Sequence, residues 1–140
     1  VYKNYSILYI GIAPSRITSK SNLRKRIFNH LKGNAYSSTL RLSLGVLLAD
    51  RSKFILRRIK NKKMFRFTDK GERFINDWLD ENSLISWFEY SKPWEIEKNL
   101  INQLYLPLNI QGNINNPFKI DLLRLRKQAK QKAKFLAIID

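Results

Sequence analysis

The sequence predicts a small α/β (α+β) domain in which a short sheet is flanked by helices. Three observations carry that reading. The chain has 140 residues of which 44% are hydrophobic, several segments place apolar residues at every fourth position, and two short runs are rich in branched and aromatic residues. A chain of this length builds one core rather than two ordinary ones, and so much apolar content is incompatible with a disordered tail. No internal repeat or composition break divides it. Residues 1–140 are therefore expected to form a single domain, with 117–140 as a basic C-terminal helical extension.

The elements follow in order. Residues 6–12 (S-I-L-Y-I-G-I) read as a buried strand closing on Gly11 and Pro14, and a polar loop follows. Ser21 is the expected N-cap of a helix over 22–32, with Leu23, Ile27 and Leu31 on its apolar face and Gly33 just past its end. A second helix is expected over 39–49, with Leu40, Leu44, Leu47 and Leu48 inward. Residues 54–59 and 64–67 read as a basic hairpin around the turn Lys60-Asn61-Lys62-Lys63. Asp69 and Glu72 have capping-box spacing and open a helix carrying Phe74, Ile75, Trp78 and Leu79. Residues 84–90 read as an aromatic strand. Pro93 is a natural first helical residue for a helix to about 104. A loop rich in Asn, Gly and Pro spans 106–116, and Asn116-Pro117 start a final helix into Lys134.

Charge narrows the function classes. Lys and Arg total 27 against 11 acidic residues, a formal net charge of +16. Such an excess repels itself in the folded state, and a polyanion relieves it; nucleic acid is the commonest one. No apolar run is long enough to span a bilayer, and no basic amphipathic segment has an inserting aromatic face, so a membrane partner is not expected. No secretory signal is visible, and a cytoplasmic setting fits a chain without cysteine. The lack of cysteine excludes thiolate zinc sites, and the single His30 excludes a multi-histidine metal site. The chain begins with Val1, so the N-terminus is expected to be incomplete.

Three segments, in this order, resemble the GIY-YIG nuclease family. Tyr9-Ile10-Gly11 ends a predicted strand and leads into a turn of small residues. Arg26 and His30 lie on the helix that follows. Glu97 lies on a later helix, before Leu106-Pro107-Leu108-Asn109. Residues 33–38 (G-N-A-Y-S-S) resemble the family's segment after that helix. The resemblance implies a mainly antiparallel central sheet of about three strands flanked by helices, with the basic hairpin as an insertion. One departure stands out. The family's other tyrosine lies in a G-I-Y triplet on the preceding strand, where this chain has Val1-Tyr2 and no glycine; Tyr2 is the candidate for that role.

The resemblance implies an endonuclease that hydrolyses DNA phosphodiesters with one divalent ion, Mg²⁺ or Mn²⁺. Glu97 is the implied metal ligand, since a hard cation prefers carboxylate oxygen; Glu95 is its rival, on another side of the helix. Arg26 would stabilise charge on the phosphoryl group. His30, four residues on and so on the same helix face, would assist proton transfer or hold the tyrosine and water network, or simply pack. Tyr9 and Tyr2 would orient or deprotonate the attacking water, which needs nearby positive charge. Gly11, Tyr36 and Asn109 would support the site, Asn109 as a brace rather than a chemical group.

Arg24, Lys25, Arg57, Arg58, Lys60, Lys62, Lys63 and Arg66 are the expected nucleic-acid grip, and the cations of the last helix (Arg124, Arg126, Lys127, Lys130, Lys132, Lys134) extend it or are merely solvated. The alternative is a nucleic-acid-binding module without catalysis, which the charge explains equally and which would show no metal dependence.

Overall fold

Asn22, one residue later than expected, starts the first helix. Its Oδ1 accepts from the Lys25 amide at 2.8 Å and its carbonyl from the Arg26 amide, so α1 runs Leu23–Lys32. The computed structural model describes residues 4–59 and 64–139. They fall into two compact units: residues Val1–Arg26 with Ser86–Ile120, and Ile27–Ile85 with Asp121–Asp140. Tyr2, Lys60, Lys62 and Lys63 lie outside the described residues.

In the first unit, residues 6–12 do not form the expected buried strand. Ile7 and Leu8 are exposed, and the backbone is held instead by the loop after α5 (Pro93–Gln103). The Leu108 amide donates to the Leu8 carbonyl. The Asn109 side chain accepts from the Ile10 amide and donates to the Ile10 carbonyl, both at 2.9 Å. One amide side chain thus does what a neighbouring strand would do for that residue. Its own loop is braced in turn. Asn113 donates to the Leu106 carbonyl, and Asn116 to those of Pro107 and Asn109; Leu106, Leu108 and all three asparagines are buried. The expected strand over 84–90 is also absent: Leu84, Trp87 and Phe88 are about two-thirds exposed, and no backbone pairs with them among the described residues.

In the second unit, α2 (Thr39–Leu47) is capped by the Ser38 hydroxyl, which accepts from the Arg41 amide. The helix stops at Leu47, short of the expected end, and a four-residue turn α3 (Ala49–Ser52) closes on Lys53 in the left-handed region. The hairpin forms as β1 (Arg57–Arg58) and β2 (Phe65–Arg66), antiparallel, with Arg57 opposite Arg66 and Arg58 opposite Phe65. Beyond it the described residues add one parallel bridge, Ile59 to Ile139, so they do not assemble a central sheet of about three strands. α4 (Asp69–Asn82) is capped by Thr68 rather than by an Asp69–Glu72 box. α6 (Lys119–Lys134) begins after an Asn116 turn, Leu122 and Ala133 are fully buried, and residues 135–139 are not helical.

The core of this unit is Leu42, Leu44, Leu48, Leu56, Phe67, Ile75 and Leu79. Gly45 lets the Phe67 ring lie directly on α2, since a Cβ there would collide with the ring. Arg41 is wholly buried on the same helix. Its guanidinium donates to Glu72 Oε2 at 2.8 Å, to the Leu31 carbonyl in the last turn of α1 at 2.9 Å, and to Asn76 Oδ1 at 2.8 Å. Glu72 Oε1 accepts from the Ala35 and Phe67 amides. Glu72 therefore serves not as a cap but as the counter-charge of a buried cation.

Removing one partner of such a pair strands the other without solvent. We expect Glu72→Ala to lower stability by about 3 to 5 kcal/mol, measured by urea denaturation. The Arg41→Leu/Glu72→Leu double variant should lose less than the sum of its singles. A loss below about 1 kcal/mol for Glu72→Ala, the size of an ordinary surface change, would contradict this assignment.

Candidate active site

Tyr9, Gly11, Arg26, Glu97 and Asn109 all belong to the first unit. The Asn109 clamp on Ile10 fixes the backbone between Tyr9 and Gly11. Arg26, at the end of the first turn of α1, donates from Nη2 to the Tyr9 hydroxyl at 2.7 Å. Its guanidinium lies over Gly11: a Cβ there would stand 2.7 Å from both Nε and Nη2. Glycine is thus required by close approach rather than by backbone conformation. Arg26 Nε is buried and has no hydrogen-bond partner among the described residues.

Glu97 sits in the second turn of α5, half-buried. Burial pushes its carboxyl above the ordinary value, and the Arg26 guanidinium pulls it part of the way back. That opposition places the carboxylate within the field of Arg26. It accepts no hydrogen bond and forms no ion pair among the described residues. Glu95, the rival, is exposed and paired with Lys92 at 3.3 Å. Among the described residues no group of three or more His, Cys, Asp or Glu is placed to hold a metal ion.

A sequence profile of the GIY-YIG catalytic domain matches residues 1–128. The chain belongs to the GIY-YIG family. No curated protein and no solved structure matches it. Membership makes this a nuclease domain with a nucleic-acid substrate, in a family that generally depends on a divalent metal. No helix among the described residues is long and apolar enough to cross a membrane.

The other candidates of this GIY-YIG chain have separate settings. His30 belongs to the second unit, where its Nδ1 is 2.7 Å from the hydroxyl of Ser38, the cap of α2. Tyr36 is exposed in the following turn, its amide held by Asn34. Arg24 and Lys25 are exposed on α1. Arg57 spends its guanidinium on the Ala137 carbonyl, and Arg66 on the Phe67 carbonyl and Asp69. Sequence reasoning gave no site role to Asn113, Asn116 or Ser38: Asn116 holds the Asn109 carbonyl, Asn113 the Leu106 carbonyl of the same loop, and Ser38 the His30 ring. The Asn-rich loop was a signal for the first two, since buried amides in a loop must satisfy carbonyls.

Two outcomes follow. Gly11→Ala should displace only the end of a flexible side chain, costing no more than about 1 kcal/mol in denaturation, while breaking the Arg26–Tyr9 bond and lowering cleavage on the order of 10²-fold; unchanged cleavage would show the contact to be idle. The second concerns pH. An acid whose folded pKa is raised stabilises the fold while protonated and loses that contribution as pH rises through the folded pKa. Glu97→Gln should therefore melt higher than the parent at neutral pH, the gap closing toward acid as the parent protonates. A variant that melts lower at neutral pH would mean that attraction to Arg26 outweighs burial.

Proposed function

We propose that the protein is a metal-dependent endonuclease that hydrolyses DNA phosphodiester bonds. The observation that carries this reading is the Arg26 guanidinium laid over Gly11 and bonded to Tyr9, with the partly buried carboxylate of Glu97 in its field. The family match spans both units, which supports reading 1–140 as one nuclease domain, and a cytoplasmic setting fits the cysteine-free sequence.

Each residue then has a task. Arg26 presents a planar, permanently charged donor, with an unsatisfied Nε, to phosphoryl oxygens. The Tyr9 oxygen accepts from Arg26, which holds the hydroxyl beside the guanidinium, and Tyr9 is the candidate to orient the attacking water. Tyr2 is the candidate second tyrosine. Glu97 fits a loosely held hard cation, since its carboxylate is partly desolvated and takes no donor among the described residues; one Mg²⁺ or Mn²⁺ would rest there with substrate phosphate and water completing its shell. When bound, the ion neutralises developing phosphoryl charge. His30, whose Nδ1 lies 2.7 Å from the Ser38 hydroxyl, is the candidate for assisting proton transfer. Tyr36 is the candidate for a further hydroxyl offered to the substrate. Arg24, Lys25 and the hairpin cations are the candidates for nucleic-acid grip.

The test is cleavage of labelled single-stranded, duplex and forked DNA with Mg²⁺ or Mn²⁺, then with chelator. Glu97→Ala should abolish cleavage and keep low-salt binding. Arg26→Lys should lower the single-turnover rate on the order of 10²-fold with little change in affinity, whereas Lys25→Ala should weaken binding slightly, as added salt does. Normal cutting by Glu97→Ala, or equal salt-sensitive losses in Arg26→Lys and Lys25→Ala, would overturn the assignment.

A further inference from the structure

Three cations of the second unit gather on one face of the hairpin. Arg58 stands directly opposite Phe65 in the antiparallel register, and opposed residues project from the same face of a ladder. The Lys130 ammonium lies over the Phe65 ring, 5.7 Å from its centroid, which brings α6 to that face. Arg126 precedes Lys130 by four residues on α6 and so stands beside it. Neighbouring cations are engaged by the protein itself: Arg57 by Ala137, Arg66 by Asp69, Arg124 by Asp121. Arg58, Arg126 and Lys130 differ. Among the described residues their side chains form no ion pair and no hydrogen bond, and Arg58 Nε is buried without a partner.

Holding them together costs the free protein. Arg126 and Lys130 are both half-buried. Burial lowers the pKa of each, and the Arg126 charge lowers that of Lys130 further. Among the described residues no acid balances this cluster, and an external anion satisfies such a charge. The cations are spread over two elements around a half-exposed ring, which suits a line of phosphates better than one enclosed anion.

We propose that Arg58, Arg126 and Lys130 form a second phosphate-binding site, which grips the backbone of duplex DNA. The proposal rests on nucleic acid being the partner, and it does not require that the protein cut it.

The experiment is fluorescence anisotropy of a labelled DNA duplex in chelator across a range of salt, so that loss of cleavage cannot affect the reading. The Arg126→Gln/Lys130→Gln variant is compared with Lys127→Gln/Lys134→Gln, which removes equal charge from exposed positions of the same helix. The first should lower the log–log salt slope by about 1 to 2 and weaken low-salt binding on the order of tenfold, the second by clearly less. The first should also melt no lower than the parent in low salt, since it removes a repulsion; Arg126→Gln alone, read the same way, should give a smaller change of the same sign. Equal losses in both double variants, or no duplex binding by the parent, would overturn the proposal. Inorganic phosphate, compared with chloride at equal ionic strength, supplies the remaining arm. If it raises the parent's melting temperature while the two double variants bind duplex alike, the cluster takes a small anion and the proposal fails.

Discussion

The second unit is organised around a charge buried on α2. Arg41 has no exposed surface, so each of its donors must find an acceptor within the protein. Those acceptors come from the last carbonyls of α1, from Asn76 and Glu72 on α4, and from the Glu72 carbonyl. Glu72 in turn holds the amides of Ala35 and Phe67. The loop after α1, the end of β2 and the packing of α4 on α2 are fixed by this one requirement. A purely apolar contact would be non-directional and would tolerate a rotated helix. A fork of fixed donors does not.

The first unit shows the opposite economy. Arg26 has a buried nitrogen with no partner, and Glu97 a partly buried carboxylate with neither donor nor ion pair among the described residues. Both conditions disfavour the folded state. A domain that holds polar groups unsatisfied in one place and satisfies a buried arginine fully in another has divided its residues between function and structure.

The helices were legible in the sequence because their signals are local. Apolar spacing, caps and a leading proline placed α1, α2, α4, α5 and α6 within a few residues. Errors came where a local pattern had a distant cause. Glu72 follows Asp69 at capping-box spacing, yet its carboxylate turns to Arg41, 31 residues away. The aromatic and branched runs at 6–12 and 84–90 have strand composition, but strand formation depends on a partner, and for residues 8–10 the partners are a loop amide and a side chain about 100 positions on. The site residues were visible through family resemblance. What the resemblance did not contain was the reason for Gly11, which only the path of the Arg26 side chain supplies.

The Asn109 clamp has a consequence for alignment of the chain. A strand held by a ladder can slip by two residues and recover nearly all of its hydrogen bonds with the same faces inward. Ile10 is held by one side chain whose donor and acceptor meet the carbonyl and amide of the same residue. Slippage would leave both ends of that amide, itself buried, without their partners at once. The contact works as a pin through a single link, and it keeps Tyr9 from drifting along its own chain.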